Sequence, residues 1–241
     1  MSEFNKVFEI TYRDVDSHDN MKLNILVDFM QDMARLHATE LEVDFAHASA
    51  PYFWIVTKTS VILQKYPKLY DKITIKTSIQ GLDSLYSVRR FDILDAKDQP
   101  IGEIIAYYIL MDKSTHRPVR MKNADHKLSV YNFAYQGRKL KKLTLSNETA
   151  LKSVTRRVFS SEIDSNKHMN NAHYLKWALD MFTTDELIER PVREIYIQYM
   201  HEMLEGDQIE MSLCKNEQDE FFAVGKNISS DNENFICKLV F

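Results

Sequence analysis

The sequence predicts an α+β protein built from two copies of one unit, each copy a long helix wrapped by a curved antiparallel sheet. Three observations carry this. The chain has 241 residues, a length that suits one large domain or two of roughly 110–130 residues each. VDSHDNMKLNILVDFMQDMA, beginning at Val15, aligns without a gap on IDSNKHMNNAHYLKWALDMF, beginning at Ile163, 148 positions on, with Asp16/Asp164, Ser17/Ser165, Met21/Met169, Asp32/Asp180 and Met33/Met181 coinciding. In both copies, finally, an apolar helical stripe is followed by strand-like runs. A repeat this long is a duplicated domain, since solenoid periods are about 20–50 residues.

Each element follows from a local pattern. The first residues, MSEFNKVFEITYRD, alternate as a short strand does. Leu23, Leu26, Val27, Met30, Met33, Ala34 and His37 then recur at helical spacing, and Tyr174, Trp177, Ala178, Met181 and Phe182 repeat the stripe as one long helix in the second copy. After the first helix the strands read YFWIVTKTSVIL, KITIKTSIQ, SLYSVRRFDILD and IGEIIAYYILMD; after the second they read REIYIQYM, QIEMSLCK, FFAVGKNI and NFICKLVF. Their β-branched and aromatic content, with turns at Asp95–Pro100 and Asp231–Asn234, predicts antiparallel hairpins. A single apolar helix packs most simply inside the curve of such a sheet. Downstream of the helices the register slips, so that YPKLYDKITI from Tyr66 matches EMLEGDQIEM from Glu202 at an offset of 136. Residues 1–122 are therefore expected as the first unit, 123–150 as a basic, partly helical connector, and 151–241 as the second unit.

Composition removes several classes of function. With 31 basic and 35 acidic residues the net charge is −4, which disfavours bulk nucleic-acid binding. No apolar run is long enough to span a membrane, and no P-loop or G-x-G-x-x-G is present. Cys214 and Cys237 are too few for a disulfide framework or a zinc cage and read as small core residues. The N-terminus has neither a signal-peptide nor a transit-peptide profile, so a cytoplasmic location is expected. The charge is nevertheless uneven: Lys113, Arg117, Arg120, Lys122, Lys127, Arg138, Lys139, Lys141 and Lys142 face only Asp125 among acids in that stretch. The segment is either a solvated linker or a docking patch for an acidic partner.

The stretch that carries chemistry is D-S-N-K-H-M-N-N-A-H-Y-L-K-W, Asp164 to Trp177. In an extended segment Asp164, Asn166, His168 and Asn170 share one side. The helix then opens with Asn170 or Asn171 as N-cap, beside backbone N–H groups at the positive end of the helix dipole. A carboxylate, an amide and an imidazole next to such donors can stabilise an oxyanion; the same residues could also be a polar capping loop. The repeat separates the two readings. The first copy has Asn20 in place of His168, Lys22 in place of Asn170, Leu23 in place of Asn171 and Tyr66 in place of Glu202, although its capping needs are alike.

At this point the chain resembles the acyl-acyl carrier protein thioesterases, bacterial relatives of the plant plastid enzymes. The resemblance spans nearly the whole chain. It rests on D-x-N-x-H-x-N-N-x-x-Y-x-x-W in the second copy, YMHEMLEGD after it, FWIVTKTSVILQKYP in the first copy, and RRFDILD…IG…LMDKSTHRPVRM. It implies a tandem double hot-dog fold and hydrolysis of a fatty acyl thioester, with Asp164, Asn166, His168 and Glu202 as the catalytic set. Glu202 would be the base or nucleophile, His168 a proton relay, Asp164 an orienting group and Asn166 a positioning amide. Backbone N–H groups near Asn170 and Asn171 would hold the carbonyl oxygen. The first half, with Trp54 as a pocket wall, would enclose the acyl chain. Arg138, Lys139, Lys141 and Lys142 would dock the acidic acyl carrier protein. The plant enzymes have a cysteine just after the glutamate; here that position is Met203, which favours a carboxylate mechanism.

No cofactor, metal, nucleic acid or membrane span is expected, and homodimerisation is left open. His168, His173, His201 and Glu202 form no short metal-ligand motif, and Gly81-Leu-Asp-Ser84 does not fit a serine-hydrolase elbow. The competing readings are an acyl-CoA thioesterase, a hot-dog dehydratase and a non-catalytic acyl-binding module. The last would not require the Asp164, Asn166, His168 and Glu202 set.

Overall fold

The computed structural model describes residues 3–45, 50–121, 124, 126–145 and 148–241. Lys122, Asp125 and the expected boundary at 122/123 lie outside these residues. The first copy comprises β1 (Glu3–Glu9), α1 (Leu23–Glu40), β2 (Tyr52–Leu63), β3 (Lys72–Asp83), β4 (Tyr86–Leu94) and β5 (Pro100–Asp112). The second comprises β6 (Thr149–Arg157), α2 (Asn171–Leu179), α3 (Thr184–Glu189), β7 (Glu194–Tyr199), β8 (Gln208–Lys215), β9 (Phe221–Asn227) and β10 (Glu233–Val240). The strands form one antiparallel sheet in the order β1-β3-β4-β5-β2-β7-β10-β9-β8-β6. Read outward from its middle, the order is the same in both copies, and the join is the β2–β7 pair, Lys58 opposite Gln198 to Ile62 opposite Glu194.

The helical stripe from Leu23 to His37 is buried as its spacing predicts. Alternate residues of strands from both copies pack on it and on α2, so Met30, Phe91, Trp177, Ile197 and Phe235 belong to a single core. Each copy opens with a buried carboxylate that closes a short turn: Asp14 accepts the Thr11 N–H at 2.8 Å, and Glu162, 148 positions on, accepts the Phe159 N–H at 3.0 Å. Glu162 also accepts the Trp177 indole N–H at 2.8 Å.

The second helix departs from the expectation of one long helix. It breaks after Leu179 and restarts as α3. Thr183 accepts the Glu186 N–H at 3.3 Å while Glu186 accepts the Thr183 N–H at 2.7 Å, a capping box that starts a new helix. The first copy has Arg35 and Leu36 where Thr183 and Thr184 stand, and α1 runs on.

The connector contains a 3-10 turn at His126–Tyr131, and β6 begins at Thr149, inside the segment expected to be connector. Leu128 and Tyr131 of that turn pack with Ala38 of α1, and from Tyr135 on the connector lies against the sheet face opposite the helices. Tyr135 and Leu140 pack with Val88, Ile105 and Tyr107, and Leu143 and Leu145 pack against Phe222, Val224 and Ile236. Gly81, at φ +100°, lies under this crossing, where a Cβ would come within 2.4 Å of the Phe133 carbonyl oxygen. Among the described residues no helix is long and apolar enough to cross a membrane.

Candidate active site

The segment from Asp164 to Asn170 is a turn, which corrects the extended arrangement expected from alternation. Ile163 bridges to Met169, the Asp164 N–H donates to the His168 carbonyl at 2.8 Å, and Lys167 takes φ 68°. The Asp164 carboxylate accepts the Asn166 N–H at 2.7 Å, and the Asn166 amide lies 3.4 Å from its other oxygen. Asp16 does the same in the first copy, accepting the His18 and Asn20 N–H groups at 2.8 and 3.0 Å. An aspartate that captures backbone N–H groups two to four residues on forms a turn in place of a strand. Asp164 therefore has a turn-closing duty that is common to both copies.

The turn brings His168 to Glu202, with Nε2 3.2 Å from the carboxylate. Glu202 lies three residues past β7, and three contacts hold the backbone of Glu202 and Met203. The Met169 N–H donates to the Met203 carbonyl at 2.8 Å, the Met203 N–H to the Tyr174 hydroxyl at 3.1 Å, and the Asn234 amide to the Glu202 carbonyl at 3.2 Å. The His168 and Glu202 side chains are 36% and 59% exposed, so water and a ligand can reach both.

Asn170 is the N-cap of α2, accepting the Ala172 N–H at 2.9 Å. Its own N–H donates to the Glu162 carbonyl at 2.9 Å and is not available to a ligand, a correction to the expected pair of oxyanion donors. The Asn171 N–H, in the first turn of α2, has no acceptor among the described residues. Two residues of the first copy complete the site. Gln31 donates to the Asn170 side chain at 2.9 Å and accepts from the Asn171 side chain at 3.4 Å. Asp28 accepts from the Asn170 amide at 3.4 Å, and its carboxyl is raised to about 6 by burial and by the charge of Asp32. Sequence reading missed both, although the repeat held a signal: their counterparts are Leu179 and Lys176.

These groups line one cavity of about 950 Å³, whose walls come from α1, β2, β5, the Asp164 turn and the Glu202 segment. Trp54 forms part of the wall, with its indole N–H on the Val43 carbonyl at 3.0 Å and its ring 5.4 Å from Tyr131. Behind it a chamber of about 70 Å³ is bounded by Arg89, Tyr108 and Tyr131. The buried Arg89 guanidinium donates to His37 Nδ1 at 2.7 Å, and burial together with this cation lowers the imidazole to about 4. Of the expected docking cations, Arg138 reaches Glu194 at 3.3 Å and Ser60 at 2.8 Å, and Lys139 reaches Asp83 at 2.9 Å. Lys141 and Lys142 are exposed and carry no ion pair among the described residues.

Two helix-in-sheet units joined edge to edge, with an imidazole–carboxylate pair in one of two related clefts, define the class of tandem hot-dog proteins. Models of the acyl-ACP thioesterase N-terminal and C-terminal domains match residues 1–127 and 144–239, and the chain belongs to the acyl-ACP thioesterase family. It is 26% identical over 192 residues to a chloroplastic oleoyl-acyl carrier protein thioesterase of Coriandrum sativum, covering 74% of this chain and 51% of that protein. A chloroplastic dodecanoyl-[acyl-carrier-protein] hydrolase of Cinnamomum camphora is 20% identical over 216 residues, covering 83% and 56%. The chain thus spans about half the length of the curated relatives it matches. In fold it is similar to an acyl-ACP thioesterase of Bacteroides thetaiotaomicron (TM-score 0.86, 21% identity, 99% and 97% of the two chains). It is also similar to a 12:0-ACP thioesterase of Umbellularia californica (0.85, 17%, 98% and 96%).

Proposed function

We propose that this protein hydrolyses the thioester of a fatty acyl-acyl carrier protein in the cytoplasm, releasing a fatty acid and the carrier thiol. The observation that carries the reading is the His168–Glu202 pair at 3.2 Å in a cavity large enough for an acyl chain. Glu202 takes a proton from water, and the water oxygen bonds to the thioester carbonyl carbon. The carbonyl oxygen, now negative, sits at the Asn171 N–H and the positive end of α2. Collapse breaks the C–S bond, and the proton passes through His168 to the leaving sulfur. Asp164 and Asn166 hold the turn that aims His168, and Gln31 holds Asn170 and Asn171.

In this reading the first half encloses the acyl chain and the second half supplies the chemistry. Lys141 and Lys142 face the acidic carrier protein. The test is hydrolysis of acyl-carrier protein and acyl-CoA across chain lengths by the parent protein and by Glu202→Gln and His168→Ala. Each substitution is expected to cut kcat by about 10²–10⁴-fold with the thermal midpoint little changed. Normal turnover by a folded Glu202→Gln protein would defeat the carboxylate mechanism. A preference for acyl-CoA would move the substrate to the competing class.

A further inference from the structure

The duplication leaves a second cavity, of about 1020 Å³, made of the counterparts of the cleft's own walls. Where the cleft has Asp28, Gln31, Asp32 and Ala34, this cavity has Lys176, Leu179, Asp180 and Phe182, each 148 positions on. Where the cleft has Asp164, His168, Asn170 and Asn171, it has Asp16, Asn20, Lys22 and Leu23. His201 and Glu202 are answered by Lys65 and Tyr66, 136 positions back. The volume is at the upper end of small-molecule sites, about 300–1,000 Å³.

These exchanges remove the imidazole–carboxylate pair, since Asn20 and Tyr66 stand where His168 and Glu202 do. Tyr66 donates its hydroxyl to the Val192 carbonyl at 2.7 Å, and burial raises the phenol above its ordinary range. In its place the exchanges create an amphipathic container. The wall is apolar, with Ile25, Leu179 and Phe182 joined by Leu187 and Ile188 of α3, the helix that exists only because the second copy breaks at Thr183. The rim carries Lys22, Lys65, Lys68 and Lys176.

The acids beside these lysines are engaged elsewhere. Asp16 accepts two N–H groups of its own turn, Asp71 accepts the Lys68 N–H at 2.8 Å, Asp180 pairs with Arg156 at 2.7 Å, and Asp28 accepts from Asn170. Lys65 pairs with Asp95 at 4.0 Å, but Lys68 and Lys176 have no ion pair among the described residues, and Lys22 spends its ammonium on the neutral Arg13 carbonyl at 3.1 Å. An apolar trough under unmatched ammonium groups complements an aliphatic chain with an anionic end.

We propose that this second cavity binds one fatty acid, with the carboxylate on the lysine rim and the chain along the α2–α3 wall. The site stands on its own geometry. The choice of a fatty acid among anionic amphiphiles rests on the proposed reaction, of which it is the product.

The test is titration of the whole protein with carboxyl-¹³C dodecanoate, with stoichiometry from calorimetry and bound signals from NMR. Lys22→Glu/Lys68→Glu/Lys176→Glu and, separately, the space-filling Ile188→Trp are each expected to lose one bound dodecanoate, with acyl-carrier protein turnover kept within about twofold. The affinity of the lost site should rise about fourfold per methylene from octanoate to dodecanoate, whereas lysines acting alone would ignore chain length. Unchanged stoichiometry in both variants, or affinity indifferent to chain length, would overturn the site. Tighter binding of dodecanoyl-4′-phosphopantetheine than of dodecanoate at the lysine-dependent site would overturn the ligand. Loss of a dodecanoate in a protein that hydrolyses no acyl-carrier protein would leave the site standing and remove the proposed function. Hydrolysis without a second bound dodecanoate would do the reverse.

Discussion

Asp28 is the clearest case of a residue whose role depends on its surroundings. It sits on α1, half-buried, beside Asp32 and the Asn170 amide, and its carboxyl is raised from 3.8 to about 6. The folded state therefore holds a proton that the unfolded chain releases. The resulting stability is complete below pH 3.8 and is lost as the pH rises through 6. Asp28→Asn removes this loss while keeping an acceptor for Asn170, so it should raise the thermal midpoint more at pH 8 than at pH 4. Equal shifts at the two pH values would show that Asp28 titrates normally. Trp54 is the corresponding case for the ligand. Its ring stands between the cleft and the chamber before Arg89, and each buried methylene is worth ~0.8 kcal/mol. Trp54→Ala should move the kcat/KM optimum toward longer acyl chains while turnover is retained. An unmoved optimum in an acyl-carrier protein series from eight to eighteen carbons, on the order of one CH₂ pair per step, would take Trp54 out of the pocket wall.

At the scale of an element, the connector combines two kinds of cation. Arg138 and Lys139 bind the sheet through Glu194, Ser60 and Asp83, and Lys58 of β2 donates to the Leu140 carbonyl at 2.8 Å. Lys141 and Lys142 point their charge at solvent. Substitution should divide along that line. Lys141→Glu/Lys142→Glu should raise KM for acyl-carrier protein, most at low salt, and leave acyl-CoA hydrolysis unchanged. Arg138→Ala should instead lower the thermal midpoint slightly, since exposed pairs contribute about 0.2–1 kcal/mol. If both variants weaken both substrates equally, the connector acts only by holding the fold. The α2–α3 break is the other element that matters, because a Thr183 capping box in the middle of a repeated helix turns a structural duplicate into a new cavity wall.

Across the whole molecule, duplication has not produced two independent units. One core runs through both copies, and β2 pairs with β7 at the centre of the sheet. The clefts are shared in the same way: the Asp164 turn of the second copy faces α1, and its counterpart in the first copy, the Asp16 turn, faces α2. A shared core predicts a single cooperative transition. The two tryptophans, Trp54 and Trp177, report on different copies. Denaturant curves of Trp54→Phe and Trp177→Phe should each match, within the shift of the substitution itself, the curve followed by circular dichroism on the same variant. Separate midpoints for the two probes would mean that the copies unfold one after the other.

Alternation and helical spacing report what a residue does within its own strand or helix, and for that reason β2 and β8 are legible to the residue, as is the buried face of α1. The repeat adds a comparison between copies, which exposes His168 and Glu202 because their counterparts, Asn20 and Tyr66, cannot do the same chemistry. Local patterns do not record which copy faces which. Gln31 and Asp28 entered the site only when the β2–β7 pairing brought α1 against the Asp164 turn. The same limit hid the use of the Asn170 N–H by Glu162, because a hydrogen bond across eight residues follows from the folded turn and not from any period. The second cavity is the largest such case: its residues are scattered from Asp16 to Val192, and only a pseudo-twofold arrangement of the two copies gathers their lysines around one apolar wall.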